Sequence, residues 1–579
     1  MPTDKPNVIL LTVDALRADR TSLHGYRRPT TPTLERLAEN AIVCDNAFSL
    51  GPFTQSACVQ MFTSSRPLSY GGYDAGAKGR PSTLFKRFHD CGYRTSAFST
   101  LHWVNRYFGY GDGLDTELQL FTLNTLVGVA IATMRNSLIG YHQGKIPRRD
   151  MLDVVRPVIA KLLRNAVEYC DLRIETAAAY RADFPDSLLV NAEYDYRKIK
   201  QVIARHREEF EADAVSYVHR HLHRIPEGHE WIARDWHYLR PWSRLLREGA
   251  SRMSNRLIGP FNPRLAEARN HRFKSYVDAA ALADKVISVV EDREAEKPFF
   301  IWTHFMDTHQ PYVSGRGREW YKHTPGYLEA LGYSRDLAPA MTFRKEKPKT
   351  AEEWAAFSAL YDAAVRSTDE AIGRIIDAVD RLGLGENTLI LVSGDHGEEL
   401  GEHGDLGHNF SFYEHNVRVP MLFRIGKGKG QRIDSLVTSL DLAPTIASLA
   451  GINPAPGWEG EPVTAPAVAE RPHIVMETFF GGNCIFEHRP LYMGVRTKRY
   501  KYIWKEYRDP RDRFSPDGHE LYDLDADPGE RNNLYRPDHP VVADLNPVIV
   551  ARLREIPEIS PARIDAAFAP ARAETVAAG

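Results

Sequence analysis

Two apolar runs, each leading into an aspartate, constrain this chain more than anything else in it. Asn7-Val-Ile-Leu-Leu-Thr-Val13 runs into Asp14, and Thr388-Leu-Ile-Leu-Val-Ser393 runs into Gly394-Asp395-His396. Short continuous runs of this kind suit strands buried on both faces, as in a parallel sheet covered by helices. The surrounding pattern agrees. Thr33 to Asn40 and Ser82 to Asp90 read as helices, and Gly92 to Phe98 as another strand. Further on, Tyr276 to Asp292 has helical spacing, Pro298 to Thr303 is a strand, and Ala355 to Leu382 is a long helix. The expected fold class is α/β, a doubly wound, mostly parallel sheet. Ligands in such folds bind beyond the carboxyl ends of the strands, where Asp14 and Asp395 would stand.

The alternation is interrupted once. Between residues 116 and 275 the periodicity is helical: Met151, Val155, Val158, Leu162 and Ala166 share one face, and Ile199, Val202, Ile203, Phe210, Ala214 and Tyr217 another. Leu126 to Thr133 reads as a buried helix rather than an interfacial anchor. The expected organisation is a catalytic domain in two parts, 1–115 and 276–469, split by a helical insertion at 116–275. Residues 470–579 form a C-terminal α+β subdomain with a small antiparallel sheet, its Pro- and Ala-rich last forty residues peripheral.

A chain of 579 residues could hold three or four domains, so this division makes most of the length one enzyme-sized unit. No run approaches eighteen apolar residues, which argues against a membrane-spanning helix. Five scattered cysteines without CxxC spacing point to a reduced compartment, and cytoplasmic residence is the expectation. The net charge of −2 argues against a nucleic-acid partner but hides a local excess. Between His219 and Lys274 twelve Arg and Lys face five acids, with Trp231, Trp236, Tyr238 and Trp242 interleaved. The preferred reading is a solvated face whose aromatics pack inward; the alternative is peripheral contact with anionic lipid through 219–274.

Four segments carry side chains suited to chemistry: Thr12 to Asp19, Gly51 to Thr63, His304 to Tyr312 and Ser393 to His408. Two Asp, a His and a hydroxyl can complete a site for a divalent cation, which would lower the pKa of the hydroxyl and stabilise charge on a phosphoryl or sulfuryl oxygen. His309 and His408 could orient those oxygens or protonate a leaving group. Glu398, Glu399, Glu402 and His403 read as a solvated or supporting loop.

The chain resembles the sulfatase family of the alkaline phosphatase superfamily. The matching stretches, in family order, are Asn7–Tyr26, Thr31–Phe48, Gly92–Phe98, Pro298–Tyr312, Leu389–Pro420, Asp441–Gly451 and Val495–Leu534. The resemblance implies metal-dependent ester hydrolysis or transfer. Asp14, Asp395 and His396 match metal ligands, with Thr54 completing the set, and His309 matches an active-site histidine. His408 lies where sulfatases usually have a substrate-binding lysine, and phosphoethanolamine transferases a histidine. His102 has the spacing of a family active-site histidine, and Thr100 replaces the lysine expected two residues before it.

The nucleophile departs from the family pattern. Sulfatases carry Cys or Ser in a Cys-x-Pro-Ser-Arg run and oxidise it to formylglycine. Counting back from Met61-Phe-Thr63 puts Thr54 at that position and Cys58 at the arginine, where it reads as a small buried hydrophobe. Threonine is the nucleophile of nucleotide pyrophosphatase-like relatives. The adjacent aspartates of many sulfatases are also absent, since Asp14 stands between Val13 and Ala15. Fewer carboxylates and more histidines favour Zn²⁺ or Mn²⁺ over Ca²⁺, at one site, with a second through His309 and His408 left open. The expected activity is hydrolysis of sulfate- or phosphate-type esters, phosphate mono- and diesters or phosphonates above sulfates. Transfer of a phospho-headgroup from lipid, and a catalytically silent scaffold, are the alternatives.

Overall fold

The computed structural model describes residues 5–184, 194–223, 231–237, 276–312, 348–408, 411–426, 428–479, 490–506 and 517–568, and a few single positions between them. Its centre is an eight-stranded sheet in the order β10-β2-β9-β6-β1-β5-β3-β4. The strands are β1 (Asn7–Val13), β2 (Ala41–Phe48), β3 (Arg94–Ser99), β4 (Thr116–Gln119), β5 (Phe299–Phe305), β6 (Thr388–Gly394), β9 (Arg418–Ile425) and β10 (Gln431–Thr438). Strand β9 runs antiparallel to its neighbours β2 and β6; the other pairs are parallel. The short hairpin of β7 (Glu399–Leu400) and β8 (Leu406–Gly407) follows β6.

Alternation along β1 separates the two cores. Val8 and Leu10 point into one apolar layer, shared with α2 (Thr54–Thr63) and α3 (Leu84–Asp90). Ile9, Leu11 and Val13 point into the other, under α1 (Pro32–Ala38) and the helices Ala279–Glu291 and Ala351–Arg381. Every residue of β1, β5 and β6 is buried, as continuous apolar runs require when helices cover both faces. The expected doubly wound α/β class is the observed one.

Strand β4 lies past residue 115 yet pairs in parallel with β3, so the sheet reaches into the segment read as wholly helical. Helices α4 (Leu123–His142), α5 (Arg148–Asp183), α6 (Tyr196–Ala212), α7 (Ala214–His221) and α8 (Trp231–His237) follow. Leu126, Val127, Ala130 and Ile131 of α4 are buried, in keeping with a core helix. Trp231 and Trp236 are buried too, and the Trp236 indole donates to Asn124 Oδ1 at 2.9 Å. Tyr238, Trp242 and most of the basic stretch to Lys274 lie outside the described residues. No helix among the described residues is long and apolar enough to cross a membrane.

The C-terminal strands β11 (His473–Phe479), β12 (Leu491–Thr497), β13 (Tyr500–Lys505) and β14 (His519–Asp523) form the antiparallel sheet. The last forty residues are not simply peripheral. Pro540 sits at the start of the helix Pro540–Arg554, where a missing N–H costs nothing, and Val542, Leu545, Ile549 and Leu553 bury against the sheet. Arg552 anchors that helix: Nε donates to Glu477 Oε2 at 2.6 Å and Nη2 to Oε1 at 2.9 Å. Glu477 Oε1 also accepts the Leu68 N–H at 2.8 Å, and the Glu477 N–H reaches the Leu50 carbonyl, so one buried carboxylate joins three segments.

Burial pushes the Glu477 carboxyl up, but Arg552 more than offsets this and holds it below its ordinary value. A depressed carboxyl contributes stability above its unfolded pKa and loses it as pH falls through the folded one. Arg552→Met should therefore cost about 3 kcal/mol at neutral pH, the scale for stranding one partner of a buried pair. Thermal or denaturant melts of the two proteins should converge as pH falls below about 4.

Candidate active site

The register of the three central strands brings the chemistry together. Val13 of β1 pairs with Phe305 of β5 and with Gly394 of β6, so these strands end level with one another. The pairing runs one step further: the Asp14 N–H donates to the Phe305 carbonyl at 2.9 Å, and the Asp395 N–H to the Val13 carbonyl at 3.2 Å. Two fully buried carboxylates thereby stand side by side above the sheet. Ala15 then turns with φ 53°, a left-handed conformation unusual for alanine, and its N–H donates to Asp395 Oδ1 at 3.0 Å. Gly397 is required on the other side of the site, because a Cβ there would meet the His415 carbonyl oxygen at 1.9 Å.

Thr54 is the first residue of α2, and its Oγ1 lies 3.1 Å from His396 Nε2 and 3.4 Å from Asp14 Oδ2. The residue before it, Phe53, has no side-chain oxygen to cap the helix, so the first-turn amides remain available to an anion. His396 Nδ1 faces its neighbour's carbonyl, Gly397 O, at 2.8 Å, which directs Nε2 toward Thr54 and to within 3.5 Å of Asp395 Oδ2. Asp14, Thr54, Asp395 and His396 thus meet in one cluster. Burial pushes the Asp395 carboxyl up, and the Asp14 charge adds to it, giving about 7 despite His396. Asp14 goes the other way: burial raises it, but His309, His304 and His396 hold it well below the usual carboxylate range.

His304 belongs to this cluster and carried no role in the sequence reading. It is the penultimate residue of β5 and fully buried, with Nε2 3.3 Å from Asp14 Oδ2 and Nδ1 2.7 Å from Thr12 Oγ1. The Trp302 indole donates to the same Thr12 oxygen at 2.9 Å. Its signal in the sequence was a histidine near the end of an apolar strand, in the register level with Thr12. Ligand atoms of Asp14, His304 and Asp395 all lie within 4.8 Å of one another. Among the described residues, Asp14 Oδ1 and Asp395 Oδ2 are buried without a hydrogen-bond partner, a costly arrangement that a divalent cation would relieve. The donor set of carboxylate and imidazole therefore fits such an ion.

His408 packs its ring 4.3 Å from that of His396 and 5.3 Å from that of His309, forming a row of imidazoles beside the carboxylates. Glu398, fully buried rather than solvated, meets His408 Nδ1 at 3.1 Å and orients it. His102 is held down to about 3 by burial, with the His309 charge acting the same way and Asp14 opposing. Thr100 is buried, but its Oγ1 makes no hydrogen bond to the cluster. Cys58 is enclosed in the core, where burial raises its thiol, as a small hydrophobe should be.

Glu399, His403 and His415 are a second group with ligand atoms within 4.8 Å of one another. Glu399 Oε1 accepts the N–H groups of His403 and Asp405, at 3.0 and 2.8 Å, so the group also ties its own loop.

Comparison with known proteins bears on the family and the fold. The family model described as Sulfatase matches residues 6–127 and 232–452, together more than half of the chain. A second, N-sulphoglucosamine sulphohydrolase, C-terminal, matches residues 401–557. An ulvan-active sulfatase of Formosa agariphila is 32% identical over 30% of this chain and 34% of its own length. A choline-sulfatase of Rhizobium meliloti is 28% identical over 43% of this chain and 48% of its own. The chain thus matches a third to a half of the length of these relatives. The phosphonate monoester hydrolase of Agrobacterium radiobacter shares the fold with a TM-score of 0.51, at 15% identity and 95% coverage of both chains.

The orientation of His304 by Thr12 has a measurable consequence. Replacing a group that orients a metal-ligating histidine typically weakens metal binding ten- to a hundredfold. Thr12→Val should shift Zn²⁺ or Mn²⁺ titrations by about that factor, and Asp395→Asn should abolish retention through dialysis, both read by elemental analysis.

Proposed function

This chain belongs to the sulfatase family, and we propose that it is a metal-dependent hydrolase of anionic esters, working through Thr54 and favouring phosphate mono- and diesters or phosphonates over sulfates. The observation that carries the reading is the Thr54 hydroxyl, held against His396 Nε2 and Asp14 Oδ2 at the N-terminus of a buried helix. A hydroxyl there needs no oxidation to attack. The family's name speaks for sulfate esters; the threonine speaks for phosphorus.

Asp14, His304, Asp395 and His396 would hold the cation, which when bound supplies Lewis acidity for the anionic ester oxygens and a lowered hydroxyl pKa. Thr54 Oγ1 attacks phosphorus in line, its proton passing to a neighbouring carboxylate or imidazole, and the ester's P–O bond to the alcohol breaks. The alcohol leaves with a proton from the imidazole row, where His408, steered by Glu398, and His309 stand side by side. The uncapped amides of α2 face the oxygens that gain charge. Water then cleaves the phosphoryl group from Thr54, restoring the hydroxyl.

Thr54→Ala should lower turnover of aryl phosphates and phosphodiesters by at least about a thousandfold, whereas Thr54→Ser should keep measurable activity. Quenched-flow mass spectrometry should find a phosphoryl group on the Thr54 peptide. Wild-type turnover of every ester by Thr54→Ala would end the nucleophile assignment, and turnover of sulfate esters alone would end the phosphorus preference.

A further inference from the structure

One cavity, of about 170 Å³, lies between the helical insertion and the segments that carry Gln55 and His102, next to the catalytic cluster. Gln55, the residue after Thr54, lines it, and so does His102, which lies in the field of both His309 and Asp14. Trp103 and Phe108 form the wall on the catalytic side. Leu126 and Ala130 of α4 and Leu162 of α5 form the opposite wall. The surface is mostly hydrocarbon. Lys161, its one ammonium, is already engaged: it donates to the Asp74 carbonyl at 3.3 Å and lies 4.3 Å over the Phe108 ring.

The insertion is docked firmly enough to keep this shape. The Tyr169 hydroxyl donates to the Phe121 carbonyl at 2.7 Å, and the Tyr180 hydroxyl donates to the Gln119 carbonyl at 3.0 Å while accepting the Gln119 N–H at 2.7 Å. Three hydrogen bonds therefore pin α5 to the chain just past β4. Resting on the ester-hydrolase reading above, we propose that this cavity receives the alcohol half of the substrate, and that the preferred esters are those of an apolar alcohol about one aromatic ring in size. An apolar cavity of roughly 150 Å³ is enough to take up benzene. Gln55, Asp74 and Asn165 put a few polar groups in the lining, but most of the wall is hydrocarbon, and a sugar's hydroxyls set against it would be left unpaired at a cost.

Two measurements on the metal-loaded full chain decide the matter. In calorimetric titrations, benzylphosphonate should bind at least tenfold tighter than methylphosphonate. Ala130→Phe, which fills the cavity, should remove most of that difference and leave methylphosphonate unchanged; Val158→Phe on the facing helix serves if Ala130→Phe does not fold. Equal affinities in the wild type, or equal losses for both ligands, overturn the proposal.

In turnover, benzyl phosphate and benzyl sulfate are compared with glucose 6-phosphate and 6-sulfate, pairs whose leaving groups are all primary alcohols. The benzyl esters should lead by at least tenfold in kcat/KM. A sugar preference that still depends on Thr54 would refute the cavity's role and leave the hydrolase reading standing. Tight benzylphosphonate binding that Ala130→Phe abolishes, with turnover indifferent to Thr54→Ala, would refute the nucleophile and leave the cavity's role standing.

Discussion

The pair of buried carboxylates at the ends of β1 and β6 is the constraint on which the rest depends. Two negative charges in a medium of low dielectric repel each other strongly and lose their hydration as well. The fold answers with positive or polar partners on every side: His304 from β5, His396 next in the chain, and the amides of Ala15 and His396 on Asp395 Oδ1. One oxygen of each carboxylate still has no hydrogen-bond partner among the described residues. An arrangement so costly persists only where the surroundings over-determine it, and the level strand ends do that.

Beneath the site a second set of charges holds the turn after Asp14 in place. Arg17 is almost wholly buried, paired through Nη2 with Asp19 at 2.7 Å and through Nη1 with Glu402 at 2.6 Å, and it donates to the Glu398 carbonyl. Tyr361, from the long helix Ala351–Arg381, donates to the Ala15 carbonyl at 2.7 Å and accepts the Arg17 N–H at 3.0 Å. The left-handed Ala15 is thus clamped from the helix behind it. Glu398 takes part in both layers, its backbone on Arg17 and its carboxylate on His408, so one residue ties the floor of the site to its imidazole row.

Much of this was legible in the sequence because continuous apolar runs have one comfortable environment. The runs ending in Asp14 and Asp395 located the central strands and the two carboxylates, and the resemblance of the Met61-Phe-Thr63 run to the sulfatase motif pointed to Thr54. His304 stayed hidden because only the register of β5 against β1, a long-range pairing, sets it opposite Thr12 and brings its ring within 3.3 Å of Asp14. Glu398 read as part of a solvated or supporting loop, and the fold of that loop buries it against His408. The C-terminal helix was obscured as well. Its segment read as Pro- and Ala-rich and peripheral, yet Pro540 occupies the first turn and Pro547 is carried within a helix that Arg552 ties to Glu477.

The same electrostatics separate the two candidate nucleophiles of α2. Cys58 lies one turn after Thr54, enclosed by apolar neighbours, and its thiol is raised first by burial and then by the charges of Asp395 and Asp14. A thiol reacts through its thiolate, so this field keeps Cys58 protonated and inert. Thr54 meets that field from the open end of the helix, where the amides of the first turn and His396 Nε2 offset the carboxylates. One helical turn therefore changes what the two carboxylates do. Behind the turn they keep the Cys58 thiol protonated, and at its start Asp14 Oδ2 lies 3.4 Å from the Thr54 hydroxyl.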